Sequence, residues 1–180
     1  MPDFQRAMSR VAVGDMMPEA TLPGLDGKPQ ALRDLYGKRL TVVVLWRAGV
    51  VYDLQELRDM ASEVQGPYGS QGVRVIAVNE RNTSEEVRAA LKETSSDFSV
   101  LLDRDGALFA KVGTDWMPRT LVLDPAGKIL WFDILYQPGT LNDLMQLLRT
   151  EFNQPPTTRM PPVPKFADKP EKPPLPSGEG

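Results

Sequence analysis

Thr41-Val-Val-Val-Leu-Trp46-Arg-Ala-Gly-Val50-Val-Tyr-Asp53 decides how this chain folds. Its first six residues are β-branched or apolar without a break, which is the pattern of a strand buried on both faces. Beyond Gly49, the stretch from Tyr52 to Val64 sets Leu54, Leu57, Met60, Ala61 and Val64 at helical spacing. A buried strand running into an amphipathic helix is half of a βα unit. The second buried strand is Gly72-Val-Arg-Val-Ile-Ala-Val-Asn79. A helix between two such strands makes them parallel, with a right-handed connection.

Alternation continues outward from there. Thr83 and Glu86 stand in capping-box spacing at the head of the helix Thr83-Ser-Glu-Glu-Val-Arg-Ala-Ala-Leu-Lys. Phe98 to Leu102 reads as a short strand and Asp105 to Val112 as a short helix. Asp103-Arg-Asp-Gly106 lacks the further ligands of a calcium loop and reads as the turn before that helix. Arg119 to Asp124 and Ile129 to Leu135 form an antiparallel hairpin about Pro125-Ala-Gly-Lys128. A last helix runs from Thr140 to Phe152. Upstream, Thr21-Leu-Pro-Gly-Leu-Asp-Gly-Lys28 reads as a small hairpin and Leu32 to Gly37 as a helical turn. The expected class is therefore α/β: a central mixed sheet flanked by helices, with an N-terminal hairpin extension. Residues 1–11 are expected to be a flexible N-terminus and 12–152 the domain. The tail, 153–180, holds nine of the seventeen prolines and is expected to be disordered.

Composition excludes several classes of function. The chain of 180 residues has neither Cys nor His, so thiolate chemistry, imidazole proton transfer and Ser-His-Asp catalysis are unavailable. Only carboxylate oxygens remain for a metal, and no P-loop or GxGxxG is present; no cofactor and no metal site are expected. A net charge of −3 gives no attraction to nucleic acid. No apolar run reaches the 18 or so residues of a membrane span, and the first residues lack the roughly 7–15-residue apolar core of a secretory signal. The sequence as it stands implies a cytoplasmic protein, or a periplasmic one if a signal has been removed. Oligomeric state is not legible.

The order of elements and the wording of several segments resemble the thioredoxin-like superfamily, in its TlpA-like and AhpC/TSA redoxin branch. The resemblance rests on Gly14-Asp15-x-x-Pro18, on Leu22-Pro-Gly-Leu-Asp-Gly-Lys28 and on Leu32-Arg-Asp-Leu-x-Gly37-Lys38. It rests also on Val42 to Trp46 and on Leu123-Asp124-x-x-Gly127-Lys128-Ile129, and it covers about residues 12 to 152. It implies that the family's nucleophilic cysteine falls on Val50 and its resolving cysteine on Asp53, with Val51 and Leu54 in those places after a one-residue slip. The buried carboxylate two residues before the family's Trp falls on Val44, so the proton relay is expected to be missing with the sulfurs. The family's cis proline falls on Pro118, where Met117 would offer its main chain to an extended ligand.

Thiol–disulfide exchange and peroxide reduction both need a thiolate, which neither Val50 nor Asp53 can replace. The sequence thus points to a redox-inactive fold serving as a binding or scaffolding module for an extended peptide or protein partner. Trp46, Val50, Val51, Tyr52, Trp116, Met117 and Pro118 are its expected binding residues. Trp46 has an equal alternative as a core residue, and Trp116 as a cover for its loop. Two other readings stay open. One is an enzyme with non-thiol chemistry at Asp53, set against the common role of Asp at a helix start as a cap or dipole partner. The tail's Pro161-Pro-Val-Pro164 and Pro173-Pro-Leu-Pro176 fit polyproline II recognition, with a passive spacer as the plainer role.

Overall fold

The computed structural model describes residues 7–152. A two-stranded antiparallel hairpin, β1 (Thr21–Pro23) and β2 (Pro29–Ala31), leads into a 3-10 turn at Leu32–Leu35. The main sheet is built from β3 (Leu40–Trp46), β4 (Val73–Glu80), β5 (Ser99–Asp103), β6 (Arg119–Leu123) and β7 (Ile129–Ile134), in the order β5-β4-β3-β6-β7. β3, β4 and β5 are parallel; β6 runs antiparallel to β3, and β7 runs antiparallel to β6 and so along the direction of β3. The helices are α1 (Val51–Asp59), α2 (Ser84–Thr94), α3 (Ala107–Val112) and α4 (Pro138–Phe152).

Every residue of β3 is buried, as its uninterrupted apolar run requires of a central strand. The alternation of side chains divides the core in two. Val42, Val44 and Trp46 pack with Leu57 and Met60 beyond α1's first turns, Val87 of α2, and Leu144 and Leu148 of α4. Val43 and Leu45 pack on the opposite face with α3 (Leu108, Phe109, Val112), Ile134 of β7 and Leu22 of the small hairpin. Burying a Val or Leu side chain is worth about 1.5–3 kcal/mol, so both faces of this strand contribute to holding the layers together.

The sequence expected one helix from Tyr52 to Val64. The regular α-helix instead ends at Asp59 and continues as a π-helical stretch, Met60–Gln65, and a last turn, Gly66–Tyr68. Met60 and Val64 stay on the core, and the Gln65 side chain accepts the Val75 N–H at 3.0 Å. The capping box on α2 is present in both directions. Asp103 forms the expected turn and goes further, since its carboxylate accepts the Leu108 and Phe109 N–H groups at 3.1 and 2.8 Å and so caps α3.

Residues 8–10 fall in the stretch expected to be flexible, yet they are paired to the domain. Arg10 N–H donates to Val112 O at 2.9 Å, Thr114 N–H donates to Met8 O at 3.1 Å, and Ser9 bridges Gly113. The proline-rich tail and its two PxxP motifs lie outside the described residues.

Candidate functional site

Two chain segments meet at one end of the sheet. β3 and β6 are antiparallel with Leu45 opposite Arg119, so Trp46 and the residues after it run beside Pro118, Met117 and Trp116. The loop from Arg47 to Val50 turns the chain from β3 into α1, and Gly49 makes the turn at φ +84°, where a side chain would be strained.

That loop is held on three sides. Arg47 N–H donates to Asp53 Oδ2 at 2.7 Å, Ala48 N–H donates to Asn82 Oδ1 at 2.8 Å, and Asn79 Nδ2 donates to Trp46 O at 3.3 Å. The Arg47 guanidinium also pairs with the buried Glu80 carboxylate, its Nε lying 2.6 Å from Oε2. Hydrogen bonds on Trp46, Arg47 and Ala48 fix how the residues that follow the loop, Val50 to Tyr52, are presented.

What they present is apolar. Val50 is 38 % exposed, Val51 75 %, Tyr52 67 % and Trp116 52 %. Among the described residues six large hydrophobic side chains are exposed; these are four of them, and the other two, Val13 and Met16, belong to the N-terminal segment. Isolated exposed apolar residues are ordinary; four at one end of a sheet make this face the candidate for interaction. Trp46 is different: it is fully buried in the core, which resolves its two expected roles in favour of packing. Pro118 is buried and Met117 half-buried, and the peptide bond between them is cis. Among the described residues none hydrogen-bonds the Met117 main chain.

Beneath the exposed residues lie two carboxyl groups. Val50 is the N-cap of α1 and makes no side-chain cap, while Asp53 sits on the helix's inner face, fully buried. Asp53 is therefore not the exposed cap that its position suggests. Burial raises its carboxyl to about 6, against the opposing effects of the Arg47 N–H and the Arg47 charge. One turn on, Glu56 is also fully buried and accepts a hydrogen bond from the Thr120 hydroxyl. Burial pushes Glu56 up to about 8; the Thr120 bond works against this, and the neighbouring Asp53, Asp133 and Asp59 add to it.

The sequence reading missed Glu56 and expected a relay without a carboxyl group. Val44 does leave the strand position without an acid, but its partner across the sheet is Thr120, and Glu56 reaches that residue from the helix. The signal was there: Asp53, Glu56, Leu57, Met60 and Val64 all fall on the buried side of one helical segment. Three buried polar atoms at this end of the sheet, Trp46 Nε1, Asp53 Oδ1 and Glu56 Oε2, have no protein partner. Among the described residues no group of three or more carboxylates is arranged to hold a metal ion.

On the sheet's other face, the adjacent residue of β6 anchors the loop that carries Trp116. Arg119 is buried beside Phe109, with its guanidinium 5.5 Å from that ring. Its Nε donates to Trp116 O at 3.1 Å, and its Nη2 donates to Asp115 O and to Met8 O, the latter at 2.8 Å. Burial lowers its pKa to about 10, with Asp115 opposing, so it remains a cation at neutral pH. Trp116 itself adopts φ +68°, a conformation that costs a side-chain-bearing residue on the order of 1–2 kcal/mol and needs such anchoring.

Comparison with known proteins agrees with this architecture. The thiol-disulfide oxidoreductase ResA of Geobacillus thermodenitrificans is 27 % identical over 127 residues, spanning 71 % of this chain and 72 % of the relative. A solution structure described as a candidate protein disulfide isomerase from Bacteroides thetaiotaomicron superposes with TM-score 0.73 at 21 % identity, covering 82 % of this chain and 94 % of that one. A secreted disulfide oxidoreductase of Mycobacterium tuberculosis superposes with TM-score 0.60 at 17 % identity, covering 73 % and 95 %. Among the described residues no helix is long and apolar enough to cross a membrane. The family model described as Redoxin matches residues 12–148, and the chain, thioredoxin-like in fold and without a single cysteine, belongs to that family.

Proposed function

We propose that this redoxin-family domain does no thiol chemistry and works as a binding module, holding an extended peptide or protein segment against Val50, Val51, Tyr52 and Trp116 beside Met117 and Pro118. One observation carries the reading. The positions that resemblance assigns to the sulfurs are Val50 and Asp53, and Val50 is one of four exposed large hydrophobics, of six among the described residues, that belong to this face. Tyr and Trp supply much contact area at small entropic cost, which suits capture of a segment of varied sequence. Reduced, carboxymethylated unfolded protein titrated against wild type and Trp116→Ala tests it. Saturable binding that weakens in the variant is expected; identical signals from both would remove the groove from consideration.

Non-thiol catalysis at Asp53 has less support, because that carboxyl is shielded from solvent and one of its oxygens is committed to the Arg47 N–H. Asp53→Asn abolishing a measured turnover with the fold intact would reinstate it. We read the location as outside the cytoplasm, a reading favoured by the secreted structural relative; the cytoplasmic expectation finds no support among the relatives. Fractionation of cells producing the natural protein decides between them.

A further inference from the structure

We infer that the groove's resident ligand is the chain's own proline-rich stretch, Met160 to Pro176, which an outside partner must displace. The inference rests on the binding reading above and adds the identity of one occupant.

The point where the tail leaves the domain is fixed. Phe152 ends α4, with the Arg39 guanidinium 3.9 Å over its ring and Tyr68 5.4 Å from it, and Arg39 Nη2 donates to Glu151 O at 2.9 Å. Arg39 stands immediately before β3, and the exposed face lies immediately after it. Exit and groove are thus separated by one strand of seven residues, about 23 Å at 3.3 Å per residue.

The tail's length suits that span. Met160, where the proposed ligand begins, is 8 residues beyond Phe152 (160 − 152), a length of chain that spans about 25 Å at the 3.1 Å per residue of polyproline II. A tether whose reach matches the distance to its site gives the highest effective concentration, on the order of millimolar. Even weak docking is then well populated.

Chemistry suits the pairing as well. Pro161-Pro-Val-Pro164 and Pro173-Pro-Leu-Pro176, with Met160 and Phe166, supply most of the tail's apolar side chains. Proline brings no N–H that would be left unpaired on burial, and polyproline segments lie on exposed aromatic side chains. Tyr52 and Trp116 are the exposed aromatics of the groove. A tail so bound competes with any outside segment, so foreign ligands bind more weakly to the intact chain than to one with an altered tail.

The absence of cysteine makes the test clean, since Ser177→Cys in the full chain creates a single attachment point for a nitroxide label. The Trp116 indole N–H signal is followed by NMR, with the same label in a full chain carrying serine in place of Pro161, Pro162, Pro164, Pro173, Pro174 and Pro176. The expected result is loss of most of the Trp116 intensity with the natural tail, recovery with the serine tail, and no dependence on protein concentration. Equal intensities with the two tails would overturn the inference. So would broadening that grows with concentration, which would place another copy's tail in the groove. Where the two tails give equal intensities, carboxymethylated unfolded protein added to the serine-tail chain separates the two readings: if it shifts Trp116 the groove reading stands without the tail, and if it does not, both fall.

Discussion

Arg119 Nε donates to the Trp116 carbonyl at 3.1 Å, so a buried cation sets the main chain of the exposed tryptophan three residues before it. The same guanidinium holds Met8 and Asp115, which makes the Trp116 loop and the N-terminal segment parts of one hydrogen-bonded unit. Removing it strands several carbonyl acceptors at about 1–3 kcal/mol for each that stays buried. Arg119→Met should therefore cost about 2–4 kcal/mol of stability in urea denaturation. It should also raise the quenching of Trp116 fluorescence by acrylamide. Gly113→Ala should act in the same direction, because an added Cβ would lie 2.3 Å from the Arg119 Cζ.

Glu56 gives the protein an unusual pH dependence. Its carboxyl is raised to about 8 and that of Asp53 to about 6, so between the ordinary carboxylate range and those values the native state keeps protons that the unfolded chain has released. Stability from this pair is full at acid pH, falls as pH rises through about 4 to 8, and then levels off. Glu56→Gln keeps the shape and remains neutral. Urea midpoints should show a flatter profile for the variant, with a gain of about 1–3 kcal/mol at pH 9 and little change at pH 4.

Wild-type protein should give no dithiothreitol-dependent insulin reduction above the reagent's own rate. The paired replacement Val50→Cys with Asp53→Cys should create it. Val50 is exposed at the N-cap of α1, where helix N–H groups favour a thiolate, and position 53 lies one turn inward. Activity in the pair and in neither single replacement would show that the scaffold still serves the chemistry its sequence has lost; an inactive, folded pair would show that the surroundings have drifted as well.

Val51, the most exposed of the groove's apolar residues, separates binding from folding. Val51→Lys should leave stability within about 0.5 kcal/mol of wild type, as surface changes usually do. Its affinity for unfolded protein should nevertheless drop severalfold, measured by the same titration as for Trp116→Ala.

Much of this was legible in the chain. The run from Thr41 to Trp46, the helical spacing after Tyr52, the Thr83–Glu86 cap and the turn at Pro125-Ala-Gly-Lys128 each carry a local physical signal, and each forms in the structure. Val50, Val51, Tyr52 and Trp116, which the resemblance assigns to one face, are exposed in the structure.

What the sequence by itself determined was the order of elements and the loss of sulfur chemistry, because periodicity, capping and atomic composition are properties of residues and their near neighbours. Tertiary structure alone decided that Trp46 is core, that Asp53 and Glu56 are buried acids, and that Arg119 reaches Met8 across 111 positions of sequence. Burial and long-range hydrogen bonds arise only when β6 is laid against β3 and α1 is folded over both, and no spacing along the chain encodes which side chains that superposition brings together.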